Sequence, residues 1–303
     1  DQTRMMSIVT TGPETGYYVD VFRSRKEQGG DKMHDYFYHN LGQTMTLTAA
    51  DGTDLNLQPT EKLAFAGAHL YAYSYLYDKK VTATDKDVKV TFTIDMKDKD
   101  GDDISMNLWM KGEPEREVFT ALAPMTEGLS RTPGMPYDIK EQPTLTFVAR
   151  QHGEAWNRPF VAVYEPSTRK EPSAIEAVSF FDAEEAGLKD FAGICVESKN
   201  GRTDHIFSLS DSSQTATYRG MKVKADYAVI SNEYAGNRTF FLGNGTQLIT
   251  PDVSIRTSAA ANVLLEQKQG KWYILSSAPC TIMIDGKTVQ SGVTSKSTLL
   301  TVQ

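Results

Sequence analysis

Cysteine is almost missing from this chain: Cys195 and Cys280 are the 2 in 303 residues, and neither belongs to a C-x-x-C pair or to the Cys/His spacing of a zinc site. Both stand in apolar, strand-like contexts, which reads as buried free thiols with a disulfide as the alternative. Long apolar runs are missing too. None approaches the roughly 18 residues that a membrane-spanning helix needs, so no membrane span is expected. Helical periodicity is scarce: the one candidate, Ala183 to Phe191, contains Gly187 and reads as a turn or one short helix. There is no G-x-S-x-G nucleophile elbow, no phosphate-binding G-x-x-x-x-G-K and no dinucleotide fingerprint, and these absences set aside three large enzyme classes. Positive charge is in deficit, with 32 Lys and Arg against 39 Asp and Glu and a net charge of -7. That balance argues against nucleic acid as a partner. Any anionic ligand meets the same repulsion, so a cleft for one has to gather Arg, Lys and His against the overall sign.

Strand signals fill the space that helices leave. The 14 Tyr and 13 Phe favour sheets, and a two-residue hydrophobic period runs through Thr44 to Thr48, His69 to Tyr77, Val88 to Met96, Ile104 to Met110, Thr144 to Arg150, Phe160 to Tyr164 and Ile175 to Phe180. Asp51-Gly52, Asp100-Gly101, Asn200-Gly201 and Asp285-Gly286 are dipeptides that accept the backbone of a hairpin tip. Asn200-Gly201 is the clearest, because Gly193 to Ser198 and Asp204 to Leu209 flank it as matched strands that should pair antiparallel. The fold class is therefore all-β, a large antiparallel β-sandwich over residues 1–250 with a small C-terminal β appendage or sandwich extension over residues 251–303. The stretch from Met125 to Pro143 has three prolines and no periodicity; a loop of that length in a compact domain is more often cleft-forming than accidental. The acidic run from Asp98 to Asp103 lacks the order of a calcium loop and reads as a solvated hairpin tip.

The segment from Gly16 to Gly42, GYYVDVFRSRKEQGGDKMHDYFYHNLG, is the richest. Tyr17, Val19 and Val21 alternate with Tyr18, Asp20 and Phe22, and Tyr36 to His39 forms a second run. The pair reads as the centre of a large sheet, with Arg23 to Lys32 as its exposed connection. A carboxylate inside so aromatic a strand calls for a buried partner such as an Arg. His34 and His39 are an odd number of residues apart, which puts them on opposite faces of a strand and rules out one shared two-His site.

This pattern, together with Gly67 to Tyr71, Trp109, Ala123-Pro124 and the run from Arg150 to Pro166, resembles the β-sheet half of heparinase II/III-type polysaccharide lyases, relatives of alginate, oligoalginate and heparin lyases. The likeness covers residues 1 to about 235. It implies an acidic, uronate-containing glycan as partner and β-elimination as the reaction. It also implies a helical toroid domain ahead of the sandwich, and a periplasmic or secreted location. That family's zinc is held by His/Asp/His ligands that would fall upstream of Asp1, so no cofactor or metal ligand is assigned here. The chain opens at Asp1 without a Met or a signal segment, which reads as a processed product or a piece of a longer protein. With the neutraliser and the principal base of that family on the toroid, catalysis by this chain alone is not expected. The sandwich face that meets the toroid would stand exposed and invite a dimer or another chain.

Within the chain, His39 is the candidate catalytic residue, because an imidazole at a strand end can donate to a uronate or shuttle a proton near neutrality. Arg150, His152, Trp156 and Arg158 are the candidate substrate-binding residues. An aromatic ring with cations beside it stacks on a sugar and pairs with its carboxylate. The alternative function is a non-catalytic carbohydrate-binding or structural β-sandwich protein.

Overall fold

Val88, Val90, Phe92 and Ile94 are buried while Lys89, Thr91 and Thr93 are half-exposed, and this alternation is the local rule that builds the whole molecule. A computed structural model describes residues 1–28, 30, 32–64, 71–96, 102–126, 133, 139, 141–233 and 236–301. Nearly all of its regular structure is strand, arranged as large antiparallel sheets in sandwich-like layers. The chain divides into two compact units, Asp1–Ser173 and Ala174–Gln303.

Unit 1 contains β1 (Gln2–Thr10), β2 (Gly16–Ser24), β3 (Met33–Asn40), β4 (Thr44–Ala49), β5 (Gln58–Pro59), β6 (Tyr77–Ala83), β7 (Val88–Ile94), β8 (Ile104–Met110), β9 (Glu117–Ala123), β10 (Thr144–His152) and β11 (Ala155–Thr168). A six-stranded sheet runs β1-β2-β11-β8-β7-β4, and a five-stranded sheet runs β3-β10-β9-β6-β5. Phe92, Leu108, Met110, Phe160 and Ala162 of the first sheet pack against Tyr36, Val118, Phe147 and Ala149 of the second. Each large side chain so buried stabilises the sandwich by about 1.5–3 kcal/mol.

The β2 and β3 strands are not neighbours. The first is hydrogen-bonded between β1 and β11, the second is the edge of the other sheet and pairs with β10. Alternation shows that each strand has a face to bury, but not which partner lies beside it. The connection is also shorter than the sequence suggests, since Arg23 and Ser24 are buried within β2. Part of the expected strand from His69 to Tyr77 is instead a 3-10 helix, Tyr71–Tyr75. It lies over the five-stranded sheet, with Tyr73 packed against the cluster of Leu63, Leu76, Phe119, Ala121 and Val148. Gly67 to Leu70, Asp98 to Gly101 and most of the Met125 to Pro143 loop lie outside the described residues.

Unit 2 contains β12 (Ile175–Phe181), β13 (Phe191–Ser198), β14 (Thr203–Leu209), β15 (Ala216–Tyr218), β16 (Met221–Asn232), β17 (Arg238–Ile249), β18 (Val253–Lys268), β19 (Lys271–Ser276), β20 (Cys280–Ile284), β21 (Lys287–Ser291) and β22 (Thr298–Leu300), all in one 11-stranded sheet. The Asn200-Gly201 hairpin pairs β13 with β14 as expected, with Gly201 at φ 82°. Residues 183–190 form turns. Strands after residue 250 continue this sheet, because β18 pairs with β17, β19 and β20.

The sheet bends sharply along β16, β17 and β18, where the register shifts near Ala225 and Gly245. A Cβ on Gly245 would sit 2.3 Å from the Ala225 Cβ and 2.7 Å from the Lys224 carbonyl, so only glycine lets the strands approach at the bend. The guanidinium of Arg238, at the start of β17, is paired with Asp252, just past its end. A straight strand of that length would hold these residues roughly 40 Å apart. The bent sheet encloses a core that includes Phe207, Phe240, Leu242, Ile255, Val263 and Ile282. Cys195 and Cys280 are both free and buried, and burial pushes both thiols up from their ordinary range.

Candidate functional site

Three rows of side chains cross β3, β10 and β9 on the face of the five-stranded sheet turned away from the sandwich core. The register aligns His39 with Thr146 and Ala121, Phe37 with Val148 and Phe119, and Asp35 with Arg150 and Glu117. The middle row is apolar and lies beneath Leu63, Leu76 and Tyr73. The rows on either side of it carry the chemistry.

In the ionic row, Arg150 donates through Nε and Nη2 to the two oxygens of Asp35, both at 2.7 Å. Both partners are largely buried, and this bidentate geometry is the strong form of the pair. Tyr73 donates its hydroxyl to the same carboxylate at 2.5 Å. Burial first, and then the bond to Asp35, raises the Tyr73 phenol above its ordinary value. Next along the row, Glu117 accepts from Lys62 and lies 3.0 Å from His152 Nε2. Burial pushes the Glu117 carboxyl up, but the bonds from Lys62 and His152 outweigh it and hold the group below the ordinary carboxylate range.

In the other row, His39 Nδ1 sits 2.8 Å from Thr146 Oγ1 and its ring stacks beside Phe37 at 5.9 Å. Burial lowers its pKa, so the imidazole is neutral at pH 7. His39 lines a cleft of about 340 Å³ with Phe37, Tyr73, Tyr75, Leu76 and Pro124. The loop that begins at Met125 therefore leaves from the edge of this cleft. Tyr75 is 63% exposed and stands at its mouth. His34 lines a different surface depression, with Asp1 and Arg25, as its opposite strand face requires.

The other sequence candidates lie on the β10–β11 hairpin. Arg158 donates to the carbonyl of His152 at 2.9 Å, which links it to the end of the ionic row. Trp156 is half-buried and sits under the guanidinium of Arg25 at 4.2 Å from the ring centre. Glu154 uses one carboxylate oxygen on the backbone N–H groups of Trp156 and Asn157, so it is a hairpin brace. The face thus collects His39, Arg150 and His152, while Arg158 borders it and Trp156 stands with Arg25. Sequence reasoning missed Tyr73, Asp35, Glu117 and Lys62. Asp35 sits in the His-rich run and was within reach; Tyr73 was hidden because the period of Tyr71, Tyr73, Tyr75 and Tyr77 imitates a strand. Among the described residues no three His, Cys, Asp or Glu side chains gather as metal ligands, and no helix is long and apolar enough to cross a membrane.

A family model of the endo-acting ulvan lyase C-terminal domain matches residues 178–267. Over 228 residues the chain is 33% identical to an endo-acting ulvan lyase of Formosa agariphila, an alignment that takes in 74% of this chain and 26% of that protein. The chain thus spans about a quarter of the length of the curated relative it matches. These two likenesses support the coarser part of the resemblance read from the sequence, a C-terminal domain of a polysaccharide lyase, and not the heparinase II/III type in particular.

Proposed function

We propose that this chain is the β-sheet portion of a polysaccharide lyase that acts on an acidic, uronate-bearing polysaccharide by β-elimination. In this reading the outer face of unit 1, of heparinase II/III type in its layout, forms one wall of the substrate groove. The observation that carries the reading is the aromatic cleft lined by His39, Phe37, Tyr73 and Tyr75 beside the row that holds Arg150, Lys62 and His152. Elimination needs a base for the proton on the carbon next to the carboxylate, an acid for the leaving oxygen, and a cation on the carboxylate itself. His39, neutral at pH 7, and Tyr73 are the residue types for the first two tasks. The third is unmet in this wall: Arg150 is already matched by Asp35, and Lys62 by Glu117. A substrate carboxylate needs a neutraliser from elsewhere, such as the helical domain implied by the resemblance. The chain by itself binds and orients the glycan, in a compartment outside the cytoplasm.

Binding is measured by affinity electrophoresis on ulvan, alginate, heparin and heparan sulfate with neutral dextran as control, and cleavage by the ultraviolet absorbance of unsaturated uronate. The expected result is retention by at least one acidic polymer and not by dextran, at least fivefold weaker in His39→Ala and in Tyr75→Ala, with no unsaturated product. No retention by any acidic polymer overturns the reading. Product from this chain alone overturns the clause that its site is incomplete.

A further inference from the structure

Unit 2 has a cleft of its own, about 280 Å³ in volume, at one end of its bent sheet. The register puts its polar lining on the same side of the sheet as the core: His205 lies opposite Ile230, and Asn232 opposite Arg238, in strands whose neighbouring inward residues are Phe207, Ala228 and Phe240. Met221, Ile230 and Pro251 give the cleft an apolar floor.

Among the described residues of its lining the charges do not cancel, with two guanidiniums against one carboxylate. Among the described residues of the lining Asp252 is the one carboxylate, and Arg238 already neutralises it while its Nε donates to Asn232. Arg219 is different. It occupies the turn between β15 and β16 at φ 46°, followed by Gly220 at φ 79°, the backbone of a tight hairpin. Its N–H donates to Glu184 at 2.7 Å and its guanidinium rests over the Tyr218 ring at 5.1 Å. Among the described residues no carboxylate lies within ion-pair distance of that guanidinium. The wall behind it holds an unmet polar atom: His205 Nδ1 is buried without a hydrogen-bond partner, while Cys195 Sγ lies 3.8 Å from Nε2. An orphaned atom of this kind costs about 1–3 kcal/mol.

We propose that this cleft is a saccharide subsite that takes one acidic sugar unit of a polysaccharide, its carboxylate or sulfate group meeting Arg219 and the C–H face of its ring lying on Met221, Ile230 and Pro251. The volume lies at the lower edge of small-molecule sites, about 300–1,000 Å³, which suits one sugar and not a run of them. A guanidinium stacked on an aromatic ring is prearranged for an oxyanion. Every residue of the lining falls within residues 178–267, the segment that matches the ulvan lyase C-terminal domain. The proposal rests on the reading of this protein as a polysaccharide-binding one and adds a second, separate point of attachment to the chain.

The 303-residue protein is tested by affinity electrophoresis on alginate, which carries carboxylates only, on carrageenan, which carries sulfates only, and on dextran. Arg219→Asn removes the charge with a residue that tolerates the left-handed backbone, and Arg219→Lys restores it. Arg219→Asn should weaken retention by alginate or carrageenan at least fivefold, and Arg219→Lys should recover most of it. The polymer affected identifies the anionic group. In parallel, glucuronate or glucose 6-sulfate should shift the His205 ring resonances of the parent and not those of Arg219→Asn. Unchanged retention of Arg219→Asn, in a preparation where His39→Ala loses retention, overturns this subsite and leaves the groove of unit 1 standing. If the parent protein is retained by no acidic polymer, both readings fall together.

Discussion

Asp20 has no exposed surface, yet it is a carboxyl group inside an aromatic strand. Arg4 donates to it through Nε at 2.9 Å and Nη2 at 2.5 Å, and Tyr36 donates its hydroxyl at 2.5 Å while also touching the Tyr164 hydroxyl. The sequence made this partner legible, because a carboxylate in such a strand has to be paired; it did not reveal that the Arg comes from β1 or that two tyrosines share the site. Asp20→Ala should destabilise the fold by about 1–3 kcal/mol, since it leaves the buried Tyr36 hydroxyl without its acceptor and the half-exposed Arg4 head without its partner. The denaturation midpoint measures this, and a variant that unfolds with the parent would contradict it. At the β10–β11 hairpin the expected effects are of another kind. Trp156→Ala removes a half-buried plate under Arg25 and should leave the midpoint unchanged while weakening retention by acidic polymers severalfold. Equal retention takes Trp156 off the groove.

At the scale of elements, strand positions were legible and strand partners were not. Ile104 to Met110 was read to the residue and Thr144, Ile175 and Thr44 were placed as strand starts, because a buried face writes its period into the sequence. The separation of β2 from β3 was not written there, since both have inner faces of the same chemistry and alternation carries no address. The candidate site was legible in the same partial way. His39, Arg150 and His152 share a face because of how β3 and β10 are registered, a long-range fact that no local pattern holds. The bend of unit 2 gives an element-scale test. Gly245→Ala forces a methyl group into the Ala225 side chain and the Lys224 carbonyl and should cost about 1–3 kcal/mol. Adding Ala225→Gly should return part of the loss, and a double variant no more stable than Gly245→Ala would mean that the contact is not the cause.

For the whole molecule, acid is the weak direction. Burial holds the His39 and His205 imidazoles below their ordinary value near 6.5, so the unfolded chain takes up these protons first. Stability from these two groups is therefore complete above about pH 6.5 and declines as pH falls from there to their lowered folded values. The Glu117 carboxyl, also depressed in the fold from an ordinary value of 4.5, adds a second loss below that point. Thermal melts between pH 8 and pH 3 should be flat at the alkaline end and fall in these two stages; a midpoint that rises on acidification from pH 7 to pH 5 would falsify the assignment. The bent sheet of unit 2 has a further consequence. With the two ends of β17 fastened to each other by Arg238 and Asp252, that strand behaves as a closed link of fixed length. An added or lost residue between positions 239 and 249 would pull the clasp apart and distort the mouth it guards. Hairpin tips such as Asn200-Gly201 and Asp285-Gly286 carry no such constraint, so length variation among relatives should accumulate at the tips and spare the link.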